Sequence, residues 1–294
     1  MSSGVAGRKT AGLALGSMCS TPRMYVDLHI HTAASDGTWD TAELMEQLLA
    51  ADISLFSITD HDTIKNSRVM HETLDAYTEF QGQFVLGTEV SCTWNSALYH
   101  ITAYNVDPYN GPLLDLLSAN RQELRKYNDV TIKAIGERKP ALDYEQYLAY
   151  EHNPKRGGWK GLSYLLDEGI IRDLAEFLQL MRAIDWTTTF RDPETVIATI
   201  RKAGGYAFMA HPKAVYRDHM MPESDVRQWL DFGISGLECY STYCTAEEAQ
   251  EYVKLCRKYK LGISAGSDCH GTFIAERRLG HPQVTPDMID VPFL

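Results

Sequence analysis

Short apolar runs recur along this chain, and nearly every one ends in a histidine or a carboxylate. The first run is the most telling. In Tyr25-Val-Asp-Leu-His-Ile-His-Thr32, His29 and His31 lie two residues apart in a stretch that reads as a strand. Side chains at i and i+2 leave a strand on the same face, so the two imidazoles project together. Such a pair near the C-terminal end of a strand suits a first-row metal ion. Two polar residues at a strand exit are the plainer alternative, and the pair alone does not choose between them.

The remaining runs alternate with helical patterns. Strands are predicted at 24–28, 54–59, 84–90, 98–104, 206–210, 236–240 and 262–266. Asp40 followed by Glu43 has the form of a capping box, opening a helix with Leu44, Leu48 and Leu49 on one face. Further helices are expected at 193–202, 222–231 and 246–259. Repeated βα units imply an α/β fold with a mainly parallel sheet, here closed into a barrel. Residues 24–110 and 186–294 would form that domain. Residues 111–185, mostly helical with a break at Gly157–Gly158, read as an insertion capping it.

Polar residues fall at the strand exits. Asp36 lies in the loop after His31, His61 ends the second run, Glu89 the third, and His100 lies on the fourth. His211 follows the fifth, and Asp268 with His270 follows the last, again at i and i+2. In a β/α barrel the strand C-termini share one rim, where reactive groups gather. A buried cluster of imidazoles and carboxylates is costly unless a metal or hydrogen bonds satisfy it.

These pieces carry a family resemblance. Asp-Leu-His-Ile-His-Thr with Ser-Asp-Gly, Thr-Asp-His-Asp, Gly-Thr-Glu, Ala-His-Pro and Gly-Ser-Asp-Cys-His-Gly resemble the PHP (polymerase and histidinol phosphatase) family of metal-dependent phosphoesterases, from about residue 24 to residue 280. The stretch 193–212 is especially similar to the branch that dephosphorylates small nucleotides. The resemblance implies a distorted (β/α)7 barrel with a helical insertion and three divalent ions. His29, His31, Glu89 and Asp268 would hold the first ion. Glu89, His100 and His211 would hold the second, and Asp36, His61 and His270 the third. Mixed nitrogen and oxygen donors suit zinc, manganese or iron.

Three divalent ions bring a charge of about +6 and three carboxylates about −3, leaving a positive pocket. Closely spaced metals lower the pKa of water towards ~7, so attack on phosphorus by a metal-bridging hydroxide is expected, without a covalent phospho-enzyme. The expected substrate is a small phosphorylated metabolite, a nucleotide phosphomonoester first of all. A phosphodiesterase or 5'-3' exonuclease and a histidinol phosphatase share the fold. An amidohydrolase-type hydrolase also begins with His-x-His, but it lacks the third site, and no lysine here is placed as that family's bridging residue. A non-catalytic module is disfavoured by the complete ligand set.

Substrate contacts are sought among basic residues near the rim. Arg156 and Lys160 flank the Gly-Gly turn, and Lys213 follows Ala-His-Pro where nucleotide-cleaving relatives carry Gly-Arg. Arg217 is a second stand-in for that arginine. Trp159, Tyr164 and Trp186 are candidates to stack a base, against the commoner core role of aromatics. Asp60 and Asp62 flank His61, as orienting carboxylates or as loop caps. His71, His152, His219 and His281 have no ligand-like partner, and His219 alone is a candidate leaving-group acid.

The formal net charge of −11 argues against coating long nucleic acid, which needs a basic surface. No apolar run is long enough to span a bilayer. Six cysteines without a CxxC pair suggest reduced thiols in the cytoplasm. Residues 1–23 read as a disordered leader.

Overall fold

The computed structural model describes residues 1, 24–182, 184 and 189–294. Residues 2–23 of the expected leader, Trp186, and the expected domain boundary at 185/186 lie outside them. Seven strands follow one another in sequence order in one sheet: β1 (Tyr25–Ile30), β2 (Ile53–Ile58), β3 (Gln83–Trp94), β4 (Ala97–Tyr104), β5 (Tyr206–Met209), β6 (Gly236–Tyr240) and β7 (Gly262–Ala265). Four of the neighbouring pairs are parallel, while β4 runs antiparallel to both β3 and β5. Past the end of β7 the chain returns to β1. Ile30 bridges Cys269 in parallel, and the Asp268 N–H donates to the His29 carbonyl at 2.9 Å.

The break in parallel order has a local cause. Asn95 and Ser96, between β3 and β4, both take positive φ, at 50° and 64°. That pair of left-handed residues makes the tight turn a right-twisted hairpin favours. With β4 reversed, His100 reaches the rim from the first half of its strand, where it pairs with Ser91. His100 lies on the fourth strand as expected, and the reversal of that strand is what lets it face the rim. Glu89 likewise lies in mid-strand, because β3 runs on past the rim into the hairpin.

Helices surround the sheet: α1 (Thr41–Ala50), α2 (Lys65–Thr73), α3 (Gly111–Gly136), α4 (Tyr144–Ala149), α5 (Lys160–Asp167), α6 (Leu174–Arg182), α7 (Pro193–Lys202), α8 (Pro212–Val215), α9 (Glu223–Phe232) and α10 (Ala246–Tyr259). The Asp40–Glu43 capping box opens α1. Its buried face is Leu44, Met45 and Leu48, and Leu49 is exposed. Met45 thus takes the inward position expected of Leu49.

Three apolar clusters hold these elements. Ile30, Phe56 and Ile58 pack with α1 and with Met70 of α2. A larger cluster joins β3–β7 to α7, α9 and α10, with Phe208 and Trp229 fully buried. A third lies within α3–α6 and includes Ile132, Ile135, Tyr147, Leu162 and Phe177. Helix α3 links the last two. Leu113, Leu116 and Leu117 enter the large cluster, whereas Ile132 and Ile135 enter the third. Between them α3 buries only the polar Asn120 and Thr131. Fully burying a leucine or isoleucine stabilises by roughly 1.5–3 kcal/mol, so α3 is pinned at both ends by apolar anchors while its middle turns are only partly buried.

Among the described residues no helix is long and apolar enough to cross a membrane. The five described cysteines are all free.

Candidate metal centre

The strands and the loops after them bring nine side chains to one place. His29 leaves β1 and His31 follows it. The loop after β1 brings Asp36, and the loop after β2 brings His61. Glu89 comes from β3, His100 from β4 and His211 from the turn into α8, with Asp268 and His270 after β7. Two of them sit on strained backbone: His211 has φ 30° and Asp268 φ 53°. A non-glycine residue in that left-handed region costs of order 1–3 kcal/mol and tends to mark functional sites.

Glu89 is the hub. Its Oε1 lies 3.3 Å from His29 Nε2, 3.3 Å from His100 Nδ1 and 3.0 Å from His211 Nε2. Its Oε2 lies 3.3 Å from His31 Nε2 and 2.9 Å from His61 Nδ1. Asp268 Oδ1 faces His31 Nε2 at 3.1 Å and His29 Nε2 at 3.4 Å. Asp36 Oδ2 lies 3.4 Å from His270 Nε2 and 3.9 Å from His61 Nε2. The nine fall into overlapping groups: His31, Asp36, His61 and His270; His29, His31 and Asp268; His29, Glu89 and His211; His61, Glu89 and His100. Each group offers its donor atoms within 4.8 Å of one another. His100 thus clusters with His61 as well as facing the oxygen shared with His211.

Charge is concentrated here. Burial opposes a proton on His29 and His61, but Glu89 and the neighbouring carboxylates prevail: His29 is held well above the usual imidazole range and His61 is raised to about 10. Burial also opposes ionised Glu89 and Asp268, yet the surrounding imidazoles hold both well below the usual carboxylate range. Without cations, then, protons trapped on histidines balance the acids.

The donor set fits divalent metal. His29 Nε2 and His31 Nε2 face each other at 3.1 Å. At that distance the two nitrogens share one proton as a hydrogen bond, or turn both lone pairs to one divalent ion. Buried Asp36 Oδ1 and Glu89 Oε2 have no hydrogen-bond donor among the described residues, which is costly unless something else satisfies them. Buried carboxylates and imidazoles around common points are the ligands that zinc, manganese and iron take.

No family profile matches the chain. Curated proteins do. A 3',5'-nucleoside bisphosphate phosphatase from Chromobacterium violaceum is 24% identical over 269 residues, covering 89% of this chain and 92% of its own length. A 5'-3' exoribonuclease from Haemophilus influenzae is 26% identical over 251 residues, covering 83% and 89%. Among solved structures, a candidate metal-dependent phosphoesterase from Bifidobacterium adolescentis superposes with a TM-score of 0.75 at 24% identity, covering 90% of this chain and 94% of that one, so the fold is shared. These matches run through the whole of the motif-bearing region. These relatives and the shared fold support the resemblance to the PHP family of metal-dependent phosphoesterases.

The nine-residue cluster has supports that the motifs did not announce. Glu238 of β6 accepts from the His211 backbone N–H, and its Oε1 lies 3.1 Å from His29 Nδ1. A carboxylate on one ring nitrogen fixes the tautomer and turns the other nitrogen's lone pair to the centre. The available signal was that β6 is the one strand to which sequence assigned no polar group. Tyr243 and Arg277 hold Asp268 Oδ2 at 2.9 and 2.7 Å, leaving Oδ1 to face the histidines. No motif pointed to either. Asp60 and Asp62 touch no imidazole by hydrogen bond. Asp60 accepts from Thr32 and Ser35, shaping the loop that carries Asp36. Asp62 accepts from Ser91 and from Asn120 of α3.

The basic residues expected at the rim are occupied elsewhere. Arg156 pairs with Asp167 at 2.6 Å, Lys160 donates to the Leu148 carbonyl, and Lys213 pairs with Glu248 at 2.8 Å. Arg156 and Lys213 are each neutralised by a carboxylate, and the Lys160 ammonium also lies over the Tyr147 ring. The Arg217 side chain bonds the Ala214 carbonyl, and exposed His219 turns Nδ1 to the Met220 carbonyl. Tyr164 is a core residue of the α3–α6 cluster. Trp159 instead lines a cavity of about 620 Å³ that opens from the nine-residue cluster, where Asp36, His61 and His100 also form part of the wall.

Proposed function

We propose that the chain is a phosphomonoesterase acting on a small nucleotide, with the nine converging side chains holding three divalent ions. The observation that carries this reading is their convergence beside a cavity large enough for a nucleotide; ligand pockets of about 300–1,000 Å³ are usual. The barrel implied by the resemblance is part of the reading, supported by the bridge from Ile30 to Cys269. So is the division into a barrel and a capping segment at 111–185, supported by the separate apolar cluster of α3–α6.

His29, His31, Glu89 and Asp268 would hold one ion, Glu89, His100 and His211 a second, and Asp36, His61 and His270 a third, with zinc, manganese or iron the candidates. When bound, such ions supply Lewis acidity, drawing charge from phosphoryl oxygens and lowering the pKa of water. The chain's own work is positional. Glu238 orients His29 and anchors the His211 backbone, while Arg277 and Tyr243 fix the face that Asp268 presents. Asp60, through Thr32 and Ser35, fixes the Asp36 loop. The cavity wall then holds the rest of the substrate over this floor.

The relatives support the substrate class: one is a nucleoside bisphosphate phosphatase and another a phosphoribosyl 1,2-cyclic phosphate diphosphodiesterase from Eggerthella lenta. A second reading, a 5'-3' exoribonuclease, is favoured by the Haemophilus relative. The acid-rich chain, with 39 acidic against 28 basic residues, weighs against a grip on long nucleic acid.

Phosphate release decides. Purified chain supplied with zinc, manganese or iron should release phosphate from nucleoside monophosphates or bisphosphates and lose that activity on chelation. Release confined to nucleotides at the end of an oligoribonucleotide would favour the second reading. Metal bound with no release from any phosphate ester would sink both.

A further inference from the structure

One fully buried acid has no part in the floor of nine. Asp27 lies on β1, two residues before His29, and is wholly shielded from solvent. Its Oδ2 accepts from the Gly280 N–H at 2.8 Å, and its Oδ1 from the Ser267 N–H at 2.9 Å and the His29 N–H at 3.3 Å. The Ser267 hydroxyl bonds it as well. Among the described residues no lysine, arginine or histidine side chain pairs with it. A carboxylate that takes several backbone N–H groups makes strong bonds without a cation, and a buried one left short of donors is costly.

Ser267 and Gly280 are the two ends of the segment that leaves β7. That segment holds no helix, and no strand beyond the single bridge at Cys269. Asp268 and His270 of the floor lie in it, as does Arg277, which holds Asp268 Oδ2. One carboxylate thus brings both ends of the loop together, the mark of an Ω-loop. The hold is passed on toward the floor. The Ser267 hydroxyl accepts from the Cys269 N–H at 3.1 Å, and the Cys269 carbonyl accepts from the His31 N–H at 2.8 Å. Asp268, one residue past Ser267, has φ 53°. Such backbone persists only where its surroundings over-determine it, and Asp27 supplies a fixed point immediately before it.

We propose that Asp27 is a positioning residue, a clamp that closes the 267–280 loop and so sets where Asp268 and His270 stand in the floor. The inference rests on the reading of that floor as a metal centre. It gives the first acid of Asp27-Leu-His-Ile-His a task of its own, since its oxygens face backbone N–H groups across the sheet closure and not the floor.

The test is hydrogen exchange on the full chain, freed of metal by a chelator, joined to zinc competition. In the wild type the Ser267 and Gly280 amides should exchange as slowly as strand amides although they lie in a loop. Asp27→Asn keeps the shape, but whichever way the amide is turned its NH2 faces an N–H at one end of the loop. Protection across 267–280 should fall by about 10- to 100-fold, the range expected for charge-assisted hydrogen bonds, with β4 and β5 unchanged. Zinc affinity, measured against a chromophoric chelator, should fall by a similar factor, as it does for other groups that orient ligands. Asp192→Ala, which takes the N-cap from α7, is the control for lost stability alone, and should keep both zinc affinity and loop protection. If Asp27→Asn does not fold, Ser267→Ala decides. It removes the hydroxyl between Asp27 and Cys269, and should loosen 267–270 and weaken zinc binding to a smaller extent. Fast exchange at Ser267 and Gly280 in the wild type overturns the clamp. So does unchanged loop protection or unchanged zinc affinity in the variant that folds, or the same losses in Asp192→Ala. No zinc, manganese or iron held by the wild type overturns the clamp and the proposed function together. A loop that loosens with zinc lost, in a protein that releases no phosphate, supports the clamp while refuting the proposed function.

Discussion

The cavity has a floor and a wall built on different principles. The floor is nine ligand-type side chains on strands and on the loops that follow them, with Glu89, His29 and His31 wholly buried and each held by several partners. The wall is one face of α3, where Arg121 and Arg125 line the cavity from exposed positions. A floor of this kind is over-determined: moving one group leaves buried charges facing each other. The wall is under-determined, since Arg121 and Arg125 depend only on the helix that carries them. Chemistry should therefore fail sharply when the floor is altered and substrate binding should drift when the wall is.

The largest effect is expected at the floor. Asp268→Ala removes an oxygen that faces two histidines and leaves Arg277 without its carboxylate. Losing several kcal/mol of metal-derived stabilisation corresponds to a fall in phosphate release on the order of 10³-fold or more. Metal content by mass spectrometry should fall with it, while circular dichroism stays that of the wild type. Full metal occupancy in this variant would show that the floor does not depend on Asp268.

Glu238→Gln is the next step down. The amide keeps the shape but takes away the charge that fixes the His29 ring, and partners of this kind usually contribute 10- to 100-fold in metal affinity. Competition against a chelator should show a loss of roughly that size. An unchanged affinity would mean that the strand, and not Glu238, orients His29.

These two cases show why the floor was largely legible in the sequence and its supports were not. A ligand-type side chain near a strand exit is announced by its neighbours, because the two-residue repeat of a strand and the short turn after it fix where His29, His31, Asp268 and His270 point. Glu238, Tyr243 and Arg277 act through contacts across the sheet, and no local pattern records them. The reversal of β4 was hidden for a related reason. Its cause is two left-handed residues, Asn95 and Ser96, while the flanking apolar runs look the same in either direction. The wall was missed because basic residues were sought beside the Gly-Gly turn. Arg156 and Lys160 look exposed in sequence, but folding brings Asp167 and the Leu148 carbonyl to them.

Asn120 is where wall and floor are tied together. It is buried on α3, and its amide donates to Asp62 Oδ1 at 2.7 Å and to the Ser91 carbonyl at 2.9 Å. Both acceptors lie beside His61 and Glu89. Asn120→Ala leaves two buried acceptors short of a donor, a cost of about 1–3 kcal/mol. The urea midpoint should fall accordingly with the m-value unchanged. If α3 is positioned through this contact, KM for a nucleotide should rise in the same variant although the residues lining the cavity remain. A loss of stability with KM intact would separate the two, and would place the control of the wall in the apolar anchors at either end of α3.

The smallest effect is expected at Arg156, in the turn before α5 and outside the cavity lining. Its pair with Asp167 is solvent-exposed, and exposed pairs contribute about 0–1 kcal/mol. Arg156→Ala should change thermal stability by a few degrees at most, roughly 2–4 °C per kcal/mol for a chain of this size. Turnover of nucleotides should match the wild type, because this guanidinium already has its anion. A loss of turnover with the fold intact would mean that the pair opens to substrate, extending the wall from the middle of α3 to the Gly157–Gly158 turn.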